Sequence, residues 1–232
     1  MTGVHSYYGL SHILQGVDLE IAAGEIVGLF GRNGVGKTTT LRTIAGWVKP
    51  TQGDILFQDV RLNSLEQDVI TRHGIAFIPE DRRIFPGLSV EENLQLGLLQ
   101  NRSLSKAEQR RGLSDIYQRF PRLHERRSQA GITLSGGEQQ MLTIARALIG
   151  RPRLMLIDEP SEGLAPMIVD DIFQLLEELK KEGVSILLVE QNVKRSLMVV
   201  DRFYVMKRGS ITLTGKANEP ADQEQLLREI AI

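Results

Sequence analysis

Three short stretches of the chain carry residue types whose spacing suits phosphate chemistry. Gly31-Arg32-Asn33-Gly34-Val35-Gly36-Lys37-Thr38 fits G-x-x-x-x-G-K-[ST], a turn whose backbone N–H groups can surround the phosphates of a nucleotide. Its glycines let the main chain close around phosphate oxygens that any Cβ would obstruct. Lys37 would reach the β- and γ-phosphates, and the Thr38 hydroxyl would ligate Mg²⁺. Gly31, Asn33, Gly34, Val35, Gly36, Lys37, Thr38 and Thr39 are thus the expected nucleotide contacts. The second stretch ends in adjacent acids, Asp158-Glu159, after the apolar run Leu154-Met155-Leu156-Ile157. In a phosphate-loop fold Asp158 would reach Mg²⁺ through water, and Glu159 would orient and deprotonate the attacking water. Read alone, the two acids serve equally well as an acidic helix start behind a buried strand; the phosphate loop upstream favours the catalytic reading. The third stretch, Leu134-Ser135-Gly136-Gly137-Glu138-Gln139, has capping-box spacing between Ser135 and Glu138. Two glycines in that first turn leave its N–H groups uncovered, which makes a second anion-ready helix start. On spacing alone, an ordinary N-cap with incidental glycines explains it better.

The elements needed to hold these residues are legible around them. Glu25-Ile26-Val27-Gly28-Leu29-Phe30 is an apolar run of strand length, and residues 38–47 carry Leu41, Ile44 and Ala45 at helical spacing. A strand feeding a glycine turn that opens a helix aims free N–H groups and a positive dipole end at one spot. Further strands are expected over residues 13–21, 54–58, 74–78 and 184–189, with a hairpin over 203–213. Helices are expected from Ser89, a capping-box residue, to Leu99, from the Ser135–Glu138 box through Met141 and Leu148 to Gly150, and over 167–182, where Gly183 stops the pattern. The tail from Lys216 reads as a polar, helical appendage. Residues 80–131 are polar, helix-favouring and rich in arginine, with Arg82, Arg83, Arg102, Arg110, Arg111 and Arg127 among them. Interleaved acids and few aromatics make this a solvated helical insert and not a nucleic-acid surface.

Bulk composition fits an ordinary globular protein: 232 residues, 41% hydrophobic, 25% charged, formal net charge −1. That balance supplies no field to recruit nucleic acid or a membrane surface. The absence of cysteine removes disulfides, thiolate metal sites and cysteine nucleophiles together. With no apolar run long enough to span a bilayer and no secretory leader, the chain is expected in the cytosol, held at any membrane by another protein. Tyr7-Tyr8-Gly9 places an aromatic before a glycine; a ring on an adenine is one reading, half-buried strand packing the commoner one.

Phosphate loop, Leu134–Gln139, the Leu154–Glu159 strand and Ser161-Glu162-Gly163-Leu164 stand in the order found in ATP-binding-cassette (ABC) ATPases, which nearly the whole chain resembles. The resemblance implies an α/β fold: a phosphate-loop (RecA-like) core with an N-terminal antiparallel β subdomain over residues 1–79 and 136–232, and an inserted helical subdomain over 80–135. It implies ATP and Mg²⁺, and a head-to-tail pair of cassettes in which Ser135, Gly136 and Gly137 of one contact the γ-phosphate held by the other. Tyr8 would stack on adenine. Partners would be a second ATPase subunit and membrane permease subunits, met near Arg83-Ile84-Phe85-Pro86-Gly87, and indirectly a substrate-binding protein. The chain would sit at the cytoplasmic face of the membrane.

Three departures narrow the subfamily. Ile78-Pro79-Glu80 stands where most cassettes have a glutamine, Val189-Glu190-Gln191-Asn192 where they have a switch histidine, and Ala165 where aspartate is usual. These resemble the smaller ATPase of branched-chain amino acid importers; Ser11-His12-Ile13-Leu14 also resembles urea and amide importers. A soluble cassette protein of ribosomes or DNA repair and an exporter ATPase fit the pattern less well. Glu80 offers Mg²⁺ an anionic oxygen in place of a neutral one and is expected to link its occupancy to the helical subdomain. Gln191 can donate an amide hydrogen bond to the γ-phosphate but cannot become cationic. Its alternative is to cap the following helix. Hydrolysis then rests chiefly on Glu159.

Overall fold

The computed structural model describes residues 1–101 and 104–231, so Arg102 of the basic insert lies outside the described residues. An N-terminal hairpin, β1 (Thr2–Tyr8) and β2 (Ser11–Val17), precedes β3 (Ile26–Phe30), the phosphate loop and α1 (Lys37–Ile44). Short strands β4 (Gln52–Asp54), β5 (Leu56–Phe57) and β6 (Val60–Arg61) lead to α2 (Gln67–Arg72) and β7 (Ile75–Ile78). The insert holds α3 (Val90–Leu98), α4 (Lys106–Arg119) and α5 (Pro121–Glu125). The chain then runs through α6 (Gly136–Leu148), β8 (Leu154–Asp158), α7 (Pro166–Lys181), β9 (Ser185–Val189) and α8 (Val193–Ser196). It closes with the hairpin β10 (Arg202–Lys207) and β11 (Ser210–Lys216) and with α9 (Pro220–Ala231).

A six-stranded sheet, ordered β11-β10-β3-β9-β8-β7, is parallel except at β11, and a three-stranded antiparallel sheet is ordered β2-β1-β4. Alternation along the central strands explains why the parallel sheet is covered on both faces. Ile26, Phe30, Met155, Ile157, Ile186 and Leu188 face one apolar cluster with α6 and α7. Val27, Leu29, Leu154, Leu156, Leu187 and Val189 face the other, with Leu41 and Ile44 of α1 and Val4, Leu14 and Val17 of the β subdomain. Strands buried on both sides read as unbroken apolar runs, as these do. Gly28 is required there because a Cβ would lie 2.5 Å from the Phe30 ring.

Helix starts follow the sequence closely. Ser89, Ser105 and Ser135 each cap a helix with a reciprocal box through Glu92, Glu108 and Glu138. The single strand expected over residues 54–58 is absent. Gly53 (φ 79°) passes so close to β1 that a Cβ would sit 2.2 Å from the Gly3 carbonyl oxygen, and Gln58 and Asp59 both take positive φ. The segment therefore breaks into β4, which pairs with β1, and a separate β5–β6 hairpin.

Candidate functional site

Four parallel strands end at one edge of the sheet, and the residues just past their ends converge there. The phosphate loop follows β3, Glu80 follows β7 by two residues, Glu159 follows β8, and Gln191 follows β9 by two residues. Together with Ile13, Asn33, Gly34, Gly36, Lys37, Thr38, Thr39 and Glu162 they line a cleft of about 340 Å³. Crevices outside the carboxyl ends of parallel strands are where open α/β sheets bind ligands.

The loop is shaped by glycines whose backbone angles other residues rarely adopt. Gly31 has φ 145°, and a Cβ on it would lie 2.3 Å from the Met206 carbonyl oxygen of β10. Gly36, at φ 116°, is the N-cap of α1 and brings no side chain, so the N–H groups of the first turn stay open to an anion. Gly31 and Val35 border the rear of the loop with Val205 and Met206 instead of the cleft. Lys37 is buried, and its Nζ donates to the carbonyl oxygens of Gly31 (2.9 Å) and Arg32 (3.0 Å). Burial pushes its pKa down, against the opposing pull of Glu159 and Asp158. An uncapped helix start, a buried ammonium and a glycine cradle together fit a polyphosphate.

Beneath the loop, the Thr38 hydroxyl donates to Asp158 Oδ1 at 3.1 Å. Asp158 is 1% exposed, and burial drives its pKa up, opposed by the Thr38 bond and raised further by Glu159. Glu159 takes φ 46°, with its N–H on the Val189 carbonyl at 2.9 Å. Gln191 Nε2 donates to Glu159 Oε2 at 2.5 Å. The Glu159 pKa is raised, by burial first, against the Gln191 bond that favours the ionised form. Glu80, Glu159 and Glu162 each bring one carboxylate oxygen within 4.8 Å of the others. Hydroxyl and carboxylate oxygens are hard donors suited to Mg²⁺.

Gln191 holds Glu159 and does not cap α8; Asn192 does, accepting the Arg195 N–H at 3.1 Å. The capping alternative is thereby overturned. Tyr8 ends β1 opposite Ser11 at 44% exposure. Ser135 caps α6, Gly136 lies beside the Arg82 guanidinium, and buried Gly137 packs against Ile168. Neither Tyr8 nor Ser135, Gly136 and Gly137 line the cleft around Lys37.

Sequence reasoning missed two residues here. Glu162 reaches the cleft because residues 159–162 form a tight turn, closed by Glu162 N–H on the Glu159 carbonyl; its three-residue spacing from Glu159 was the available signal. Arg82, at φ 56°, donates from Nη2 to the Glu162 carbonyl (3.3 Å), while its own carbonyl accepts from Thr143 Oγ1 (2.8 Å) and Arg146 Nη2 (3.3 Å). Nothing in its local sequence marks that role.

Comparison with known proteins agrees with this geometry. Residues 14–162 match the ABC transporter family. The chain is 44% identical over 216 residues to the high-affinity branched-chain amino acid transport ATP-binding protein BraG of Pseudomonas aeruginosa, covering 92% of this chain and 91% of that protein. It is 36% identical over 216 residues to the lipopolysaccharide export system ATP-binding protein LptB of Escherichia coli, covering 93% and 89%. Among solved structures, a nucleotide-free ATP-binding cassette from an ABC transporter superposes with TM-score 0.86 at 26% identity over 100% of this chain and 97% of that one. A dimeric post-hydrolysis cassette bound to ADP and Pi gives 0.84 at 28% identity, over 94% and 98%. With its phosphate loop, acid pair and sheet edge arranged as described, the chain belongs to the ATP-binding, ATP-hydrolysing subunits of ABC transporters.

Proposed function

We propose that this chain powers an importer of branched-chain or related amino acids, working as one of two cassettes docked on membrane permease subunits at the cytoplasmic face. The observation that carries the two-cassette part is the lining of the cleft. Lys37, Thr38, Glu159 and Gln191 share it, whereas Ser135, Gly136 and Gly137, the other anion-ready group, do not. A second cassette, identical or closely related, then supplies those three residues to each γ-phosphate. The import reading is supported by the 44% identity to BraG over nine-tenths of both chains and by Glu80 and Gln191 at the two departing positions. Residues 80–135 form the helical subdomain that meets the permease, and a substrate-binding protein delivers the cargo from outside.

In this reading Asn33, Gly34, Gly36 and Thr39 hold the phosphates, Gly31 and Val35 shape the loop from behind, Lys37 neutralises the phosphate charge, and Tyr8 stacks on adenine. Thr38, Asp158 and Glu80 would hold Mg²⁺, which would offset phosphate charge. Glu159 accepts a proton from the attacking water, and the Gln191 amide bond to Oε2 orients its carboxylate and partly offsets the burial that favours the neutral form. Water attack at phosphorus with in-line departure of ADP gives ADP and phosphate.

Specific activity that rises with protein concentration until cassettes pair is the expected result, and full turnover by a strictly monomeric chain refutes the shared site. Transport assays on the chain reconstituted with its permease, using leucine, urea and short amides, test the cargo. Uptake of urea or amides but not leucine overturns the amino acid assignment.

A further inference from the structure

Glu190, directly after β9, is a carboxylate at 3% exposure inside the wall of the cleft. Its Oε1 accepts the main-chain N–H of Ser161 at 3.0 Å. Its Oε2 accepts those of Gln191 at 2.8 Å and Asn192 at 3.1 Å. Among the described residues no ion pair reaches it. An anion withdrawn from water at such a site is costly unless it is fully hydrogen-bonded, and filling space alone requires no charge. The three N–H groups supply that compensation, and they belong to two different loops.

One loop leaves β8 and the other leaves β9, neighbours in the sheet with Asp158 paired to Val189. The first carries Glu159 and, from Ser161, the turn that aims Glu162 into the cleft. The second carries Gln191, whose amide rests on Glu159 Oε2. Among the described residues, Glu190 is the one side chain whose hydrogen bonds reach the main chain of both. We infer that Glu190 is a positioning residue for ATP hydrolysis: its carboxylate locks the main chain at Ser161 and Gln191 into one frame, which keeps the Gln191 amide on the Glu159 carboxylate. The inference rests on the reading of Glu159 as the base. Glu190 itself faces main-chain donors and takes no proton from water.

The chemistry of the grip dictates the variant. Glu190→Gln keeps the shape but replaces one acceptor oxygen by an NH₂ group. That group must face either the Ser161 N–H or the Gln191 and Asn192 N–H groups, donor against donor, so one loop is released. Hydrogen bonds to a charged acceptor are the stronger ones, and losing one at the base's support is expected to lower kcat about 10- to 100-fold. The phosphate loop keeps its contacts, so KM for ATP should stay within about twofold.

The test is steady-state ATPase kinetics of the full chain with Glu190→Gln, Gln191→Ala and the double variant, with Glu159→Gln alongside. The expected result is a kcat loss in Glu190→Gln, little change in KM, and no further loss when the substitution is added to Gln191→Ala, because both act through one contact. Unchanged kcat in Glu190→Gln overturns the inference, as do losses that multiply in the double variant. If Glu190→Gln does not fold, Glu190→Asp keeps the charge but is one methylene too short to reach both loops. It should show the same kcat-only loss, and wild-type kcat there overturns the clamp. Glu159→Gln separates the two ideas. Retained turnover in it refutes the Glu159 reading and the clamp together, whereas its loss beside an active Glu190→Gln refutes the clamp alone.

Discussion

Two glycines of the phosphate loop, three residues apart, should respond to the same methyl group in different ways. At Gly34 the backbone has φ 78° and an added Cβ meets nothing within 4 Å. Gly34→Ala therefore carries only the conformational strain of an L-residue at positive φ, about 1–2 kcal/mol. At Gly31 the φ is 145°, and the Cβ would lie 2.3 Å from the Met206 carbonyl oxygen and 3.1 Å from Val35 Cγ2. That carbonyl cannot step aside, because β10 is tied to β3 on one side and to β11 on the other. Overpacking of this kind adds about 1–3 kcal/mol, so Gly31→Ala should cost about 2–5 kcal/mol in total. At about 2–4 °C per kcal/mol for a chain of this size, the Tm losses are about 2–8 °C for Gly34→Ala and about 4–20 °C for Gly31→Ala. Binding should invert the order in kind. Gly34 lines the cleft, so its new methyl should weaken a fluorescent ATP analogue even where the fold is nearly intact. Thermal unfolding of both apo variants and analogue titration well below both Tm values decide the matter. A Gly31→Ala protein no less stable than Gly34→Ala refutes the reasoning, since the close approach to Met206 would then constrain nothing.

Other expectations follow from the charges in the cleft. Burial raises the Asp158 pKa in the fold, so the neutral form is the one the fold favours and the stability it contributes is lost as pH rises through that folded value. Asp158→Asn should consequently raise the apo Tm at neutral pH, by about 2–4 °C for about 1 kcal/mol, while abolishing ATPase activity; a lower Tm refutes it. Glu159 must be ionised to accept a proton, and burial raises its pKa above the ordinary 4.5. The acid limb of kcat should lie above that of an unperturbed glutamate, and Gln191→Ala, which removes a donor favouring the ionised form, should shift it to still higher pH in a pH–rate profile. A shift downward contradicts the Gln191–Glu159 contact. Ser135→Ala removes the capping box of α6 and should lower stability by about 1 kcal/mol. Its ATPase should fall while the monomer's affinity for nucleotide, read by equilibrium binding, stays unchanged.

The parts of the fold that follow from local rules were legible in the sequence. Apolar runs of strand length became β3, β7, β8 and β9, and serine–glutamate spacing located the starts of α3 and α6 because a capping box is closed within four residues. The glycine turn between strand and helix was legible for the same reason. What escaped depended on distant partners. The break between β4 and β5 arises from the close passage of Gly53 over β1, some fifty residues upstream, and from positive φ at two non-glycine residues, Gln58 and Asp59. The contact of the Gln191 amide with Glu159 was not legible either, because only the neighbouring exits of β8 and β9 put those side chains in reach. Glu190 reads as one more polar residue after a strand; only the return of Ser161 to the same place gives it a task.

The segment after β7 touches two places at once. Glu80 faces the cleft, and two residues later Arg82 is bolted to α6 through Thr143 and Arg146 while its guanidinium lies against Gly136. In the paired arrangement proposed above, a displacement of Glu80 by whatever fills the cleft would drag the helix tip assigned there to the opposite nucleotide. Occupancy on one side becomes fit on the other, with a lever only two residues long. ATP saturation curves of the assembled pair should then be sigmoidal, and loosening the lever with Thr143→Val, which removes one of its two ties to α6, should flatten them toward a hyperbola.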